Sequence, residues 1–138
     1  MHILQLANFY GSNTGGLRVA LDALAAQYLA AGAHVTTIVP GDRNRRCVTD
    51  EGRTVLTVRA PLVPAMGGYR LIVNPGAVQR MIQVVGPDVI ELSDKTTLAA
   101  AATRSRDERI PVVLISHERL DAVVSQSLSS RLPVLRAM

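Results

Sequence analysis

The chain has 138 residues and a formal net charge of +4, a length that fits one compact domain and not a two-domain enzyme. A hydrophobic share of 48% excludes intrinsic disorder, and an aromatic share of 3% without tryptophan argues against a nucleic-acid platform that stacks bases. The positive charge is almost entirely arginine, with Lys95 the single lysine, which favours bidentate contacts to phosphate or carboxylate.

In chain order, His2 to Ala7 reads as a short buried strand and Gly11 to Gly16 as a small polar loop. Leu17, Leu21, Leu24 and Tyr28 then recur at helical spacing among alanines, with Gly32 as the stop. Val35 to Val39, closed by Pro40 and Gly41, completes a strand–helix–strand unit. The arginine-rich stretch from Asp42 to Gly52 is expected to be a loop and Arg53 to Val58 a third strand, followed by an irregular segment from Ala60 to Gly68. Asn74 before Pro75 is a helix cap with proline at the first helical position, after which Val78, Met81, Ile82 and Val85 share one apolar face up to Gly86 and Pro87. Val89 to Leu92 reads as the fourth strand, and Ser93 or Asp94 is placed to cap an alanine-rich helix reaching about to Arg109. Val112 to Ser116 is the fifth strand, and Leu120, Val123, Val124 and Leu128 mark a last helix before Pro133. Strands alternating with helices, each strand nearly continuously apolar, define an α/β fold: a Rossmann-like, doubly wound parallel sheet covered on both faces, in a single domain over residues 1–138.

Cys47 is the only cysteine, so no intrachain disulfide is possible and a cytoplasmic setting is expected. No apolar run approaches the roughly 18 residues of a membrane span, and the chain opens on strand-like residues in place of a leader.

Ligands of a doubly wound sheet bind beyond the carboxyl ends of its strands. Three segments qualify: Asn8 to Gly16, Ser93 to Thr97, and His117 to Asp121. The loop Gly11-Ser12-Asn13-Thr14-Gly15-Gly16 at a helix N-terminus presents bare N–H groups and the positive end of the helix dipole to an anion, unless it is merely a tight turn. It fails the dinucleotide fingerprint, because its spacing is G-x-x-x-G-G and no acid ends the second strand, and it fails the Walker pattern, because no lysine precedes Lys95. His117 stands where a buried strand emerges, turned either toward the ligand crevice or onto a neighbouring carbonyl. His117-Glu118 lacks the second histidine of a zinc helix, so no metal site is expected. His2 and His34 sit at strand starts, away from the ligand end. Arg43, Arg45, Arg46, Arg53, Arg59 and Arg70 form either a solvated loop set or, beside the apolar Leu62-Val63-Pro64-Ala65-Met66, a contact with an anionic membrane, where each basic residue is worth about 1 kcal/mol.

The run Gln5-Leu6-Ala7-Asn8-Phe9-Tyr10-Gly11, then Gly15-Gly16-Leu17-Arg18, Gly67-Gly68-Tyr69-Arg70, Glu91-Leu92-Ser93-Asp94 and Ile115-Ser116-His117-Glu118-Arg119-Leu120-Asp121, resembles the N-terminal domain of family 4 retaining glycosyltransferases of the GT-B fold. Within that family it is similar to actinobacterial α-mannosyltransferases that use GDP-mannose on phosphatidylinositol mannosides. The resemblance implies that Gly15 and Gly16 approach the donor diphosphate or the acceptor, with donor binding the expected role, that His117 contacts the transferred sugar as the catalytic-site histidine, and that Tyr10, Asn13 and Arg119 face the acceptor. It implies a sugar-nucleotide donor as substrate, no separate cofactor, a glycolipid acceptor, and a cytoplasmic location with peripheral contact at the inner face of the plasma membrane. The nucleotide-sugar-binding second domain, with its basic pair and E-x7-E motif, has no counterpart in the 138 residues. Leaving-group stabilisation in the family draws on both domains, so the chain alone is expected to be inactive and to self-associate through an exposed interdomain face. A non-catalytic module that binds an anionic lipid or sugar phosphate is the alternative.

Overall fold

In a computed structural model, residues 1–8, 10, 16–64, 68–93, 97–106 and 109–115 are described. The elements follow in the order β1 (His2–Leu6), α1 (Gly16–Ala30), β2 (His34–Gly41), β3 (Arg45–Val48), β4 (Thr54–Arg59), α2 (Pro75–Val85), β5 (Val89–Leu92), α3 (Thr97–Arg106) and β6 (Val112–Leu114). The strands form one sheet in the order β3-β4-β2-β1-β5-β6. All neighbours are parallel except β3, which runs antiparallel to β4 along the edge. The chain moves outward from β1 to β2 on one side and returns to β5 on the other, so the switch point of the topology lies between the carboxyl ends of β1 and β5.

The edge strand β3 lies inside the stretch expected to be a loop. All four of its residues are exposed, so it carries no hydrophobic period, and Arg45 and Arg46 protect a sheet edge from further pairing. The turn back into β4 is closed by Thr49 and Arg53, with the Thr49 N–H donating to the Arg53 carbonyl at 2.8 Å and Gly52 at φ 95°. β2 also runs further than expected, through Pro40 and Gly41. Pro40 is tolerated because it faces the side on which β1 pairing has ended: the Ile38 carbonyl accepts from Ala7, whereas Gly41, turned the other way, accepts from Ala60 just past β4.

One face of the sheet packs on α2 and α3. Its core joins Leu4, Leu6, Ile38, Ile90 and Leu92 to Val78 and Ile82 of α2 and to Leu98 and Ala101 of α3. The apolar face read from the sequence of α2 is the one that packs, with Met81 and Val85 at its margin. The helix begins where Asn74 Oδ1 accepts from the Ala77 N–H at 3.1 Å and ends where Gly86, at φ 58°, donates to the Ile82 carbonyl.

The other face carries α1, of which only Leu21 and Ala25 are fully buried. There the same register row places Thr37, Gln5 and Glu91 side by side on β2, β1 and β5. Thr37 Oγ1 donates to Gln5 Oε1 at 2.9 Å, and Gln5 Nε2 donates to Glu91 Oε2 at 3.2 Å and approaches the Leu21 carbonyl at 3.4 Å. The Tyr28 hydroxyl of α1 donates to the other Glu91 oxygen. The last helix expected near Leu120 to Leu128 lies outside the described residues.

Candidate functional site

Parallel strands alternating with helices bring the N-termini of α1, α2 and α3 to the carboxyl ends of the strands. There Asn8, 1% exposed, ties three segments together just past β1. Its Oδ1 accepts from the Ile72 N–H at 2.9 Å and its Nδ2 donates to Thr97 Oγ1 at 2.9 Å, fixing the 60–74 segment and the start of α3 to the central strand. Sequence reasoning placed Asn8 in a candidate segment without a role. The signal available was a polar side chain directly after an apolar strand, where backbone groups lose their ladder partners.

The described residues between Ala60 and Asn74, on either side of 65–67, make more regular bonds than the prolines and glycines there suggested. Leu62 and Arg70 form an antiparallel bridge, the Val63 N–H donates to the Tyr69 carbonyl at 2.8 Å, and Arg70 Nη1 donates to the Ala60 carbonyl at 2.8 Å. This hairpin-like fold presents Tyr69 and Arg70 beside the ends of β1 and β2. Together with Tyr10, Pro40, Gly41 and Asp42 they line a cavity of about 380 Å³. Gly41 is required there, since a Cβ at that position would collide with Thr57 Cγ2. A larger recess of about 610 Å³ runs along the α3–β6 edge, lined mainly by Leu92, Ala99, Ala102, Val112 and Leu114. Arg109 is its single charged lining residue among the described residues, and the recess lies apart from the ends of β1 and β2.

Tyr10 has two roles in the geometry. The residue lines the cavity, while its hydroxyl turns back to α1 and donates to Asp22 Oδ1 at 2.6 Å. Burial, then the bond to Asp22, raises the phenol pKa, so it is a neutral donor at physiological pH. Gly16 opens α1, and a Cβ there would meet nothing within 4 Å among the described residues. Asn13, Gly15, His117 and Arg119 lie outside the described residues. Ser93, at the end of β5 by the switch point, donates its N–H to the Leu6 carbonyl at 3.0 Å and has a buried hydroxyl with no partner among the described residues.

The arginines read together from the sequence do not form one patch. Arg43, Arg45, Arg46 and Arg59 are exposed, but Arg53 is buried and paired with Asp22 at 2.9 Å, and Arg70 is tied to Ala60. Among the described residues, no cluster of His, Cys, Asp and Glu suits a metal ion, and no helix is long and apolar enough to cross a membrane. His2 and His34 lie edge to face, 6.1 Å apart, at the starts of β1 and β2.

A Rossmann-like sheet with a cavity at the ends of its first strands is the frame of a sugar-transfer domain, and residues 15–138 match the glycosyl transferase 4-like domain; the chain belongs to that family. It is 43% identical over 131 residues to the GDP-mannose-dependent alpha-(1-6)-phosphatidylinositol dimannoside mannosyltransferase of two Mycobacterium tuberculosis strains. That match covers 95% of this chain and 34% of the relative, so the chain spans about a third of the length of the curated proteins it matches. The crystal structure of Acinetobacter baumannii MurG superposes with a TM-score of 0.54 at 16% identity, over 91% of this chain and 38% of that one, a likeness of fold. These matches bear out the resemblance read from the sequence: an N-terminal, Rossmann-like domain of a family 4 glycosyltransferase.

Proposed function

We propose that the chain forms the acceptor-side wall of a GDP-mannose-dependent α-mannosyltransferase that acts on phosphatidylinositol mannoside or a related glycolipid. The observation that carries this reading is the 43% identity across 95% of the chain, which includes the residues lining the cavity at the ends of β1 and β2. In that cavity, the rings of Tyr10 and Tyr69 offer apolar faces to a sugar, and Arg70 keeps guanidinium donors beyond the one committed to Ala60 for a phosphate. Asn13 and Arg119 complete the acceptor side, Gly15 and Gly16 approach the donor diphosphate, and His117 contacts the transferred sugar. Transfer with retention requires stabilisation of the leaving diphosphate by groups from a second, nucleotide-binding domain as well, so this domain alone supplies acceptor binding and little turnover.

The exposed apolar side chains Leu62 and Val73 flank the cavity segment near Arg59 and Arg70. They suit peripheral contact with an anionic membrane at its cytoplasmic side, from which a lipid acceptor enters. The test compares mannose transfer from GDP-mannose to phosphatidylinositol dimannoside by the chain alone and by the chain joined to the remaining two-thirds of the mycobacterial relative. Transfer is expected only in the joined protein, and His117→Ala abolishes it. Robust transfer by the chain alone overturns the half-site reading, and unchanged transfer by the variant removes His117. Vesicle binding that is indifferent to the mannoside favours a lipid-binding module without catalysis.

A further inference from the structure

Arg53 has no part in that reading, and in the sequence it stands among solvated arginines, yet it is 9% exposed. It precedes β4 and reaches under α1, where Asp22 Oδ1 receives two donors, Arg53 Nη2 at 2.9 Å and the Tyr10 hydroxyl at 2.6 Å. Arg53 Nη2 also lies 3.4 Å from the Tyr10 oxygen, which closes a triangle of three side chains. Arg18, one turn before Asp22, adds an ion pair at 3.7 Å and sets its guanidinium 5.3 Å from the centre of the Tyr10 ring. The arrangement has a cost: Arg53 Nη1 is buried and bonded to nothing among the described residues. A guanidinium free to turn would move that group into water, so the pair with Asp22 outweighs the loss.

The triangle grips the hydroxyl end of Tyr10, a residue that lines the cavity. We infer that Arg53 is a positioning residue: through Asp22 it holds the Tyr10 ring in the wall of the cavity and so sets the shape that receives the head group of the acceptor. This rests on the reading of that cavity as the acceptor site. Arg53 touches no ligand in this scheme; its effect passes through the Tyr10 hydroxyl.

Two measurements on the purified chain test it. In spectra of the chain with ring-labelled tyrosine, assigned with Tyr10→Phe, Arg53→Gln is expected to shift the Tyr10 ring signals and leave those of Tyr28 in place. Arg53→Lys, which keeps the charge without the fork, restores them in part. If Arg53→Gln does not fold, Asp22→Ala at a half-exposed position removes both acceptor oxygens and breaks the same triangle with the same expected shift. Tyr10 signals that stay in place in the folded variants overturn the inference. In the second measurement, binding to vesicles containing phosphatidylinositol dimannoside is expected to weaken about tenfold in Arg53→Gln, the scale of one lost charge-assisted hydrogen bond. Adding the same change to Tyr10→Phe weakens it no further. Losses that add in the double variant overturn the route through Tyr10, because a merely structural effect of Arg53 persists without the hydroxyl. Wild-type chain that ignores the vesicles overturns the acceptor reading and the positioning role resting on it, while the tyrosine spectra still decide whether the triangle holds the ring.

Discussion

On the side of the sheet that meets α2 and α3, Leu4, Leu6, Ile38, Ile90 and Leu92 close a mainly apolar core with Thr36 at its start, whereas on the α1 side Gln5, Thr37, Arg53 and Glu91 are buried and bonded to one another or to the helix. The first side gains from area removed from water, at about 25 cal/mol per Å² and without regard to direction. The second gains less per bond, about 1 kcal/mol net, but each bond fixes a direction. The difference matches the work of the two sides. α2 and α3 cover the sheet, with α3 tied to the end of β1 at its start by Asn8, while α1 carries the Asp22 that bonds Tyr10 beside the cavity. Two buried apolar residues, Leu21 and Ala25, leave a helix free to slide by small steps; Tyr28 on Glu91 and Asp22 on Arg53 pin it at two heights.

The contrast is broken most directly by removing one member from each side. Ile82→Ala on α2 deletes a fully buried side chain in the apolar core and is expected to cost about 2–5 kcal/mol in urea unfolding, as large-to-small core changes do. Gln5→Leu keeps the volume but takes the donor from buried Glu91 and the acceptor from Thr37, with an expected cost of about 1–3 kcal/mol. Amide exchange sharpens the comparison: the Gln5 variant opens α1 while α2 stays protected, and the Ile82 variant loosens α2 and α3 first. Equal loosening of all three helices in both variants would show that the two sides share one cooperative unit.

Much of this division was legible in the sequence, and its limits are physical. The apolar side announced itself through Val78, Met81, Ile82 and Val85 at helical spacing and through an Asn-Pro start, because packing and capping leave local patterns. β3 left none, since an edge strand with every side chain in water has no face to alternate. The polar row was hidden for a different reason. Gln5, Thr37 and Glu91 are adjacent only through the register of three strands, and Arg53 finds Asp22 only once α1 lies across β4. Reading Arg53 as one of several solvated arginines follows from its neighbours in the chain, while its burial follows from its neighbours in space. Of the candidate site, the carboxyl ends of the strands and the segment from Asn8 to Gly16 were indicated by the strand–loop–helix order and Tyr10 by the family resemblance, whereas the placing of Tyr69 and Arg70 at the cavity goes with the Leu62–Arg70 bridge.

The smallest effect tests the polar side through pH. The Tyr28 phenol is pushed up to about 12 from an ordinary 10.0, first by burial and then by its bond to the Glu91 carboxylate and the negative charge there. The folded chain therefore holds this proton more tightly than the unfolded one. The stabilisation linked to it is complete below the unfolded value of 10.0 and is lost as the pH rises through about 12. Tyr10, also raised, contributes in the same direction, so the wild-type chain should lose stability through this range from both groups. Tyr28→Phe removes one of them: at neutral pH it costs roughly 1 kcal/mol for the lost bond, and above pH 10.0 its urea midpoint falls less steeply than that of the wild type. The two midpoint curves should converge toward pH 12, where the wild-type phenol has lost the proton it gives to Glu91. Curves that stay parallel throughout would mean that the Tyr28–Glu91 bond adds nothing to the hold on α1, leaving Asp22 and Arg53, among the described residues, as its directional tie to the sheet beside Gln5.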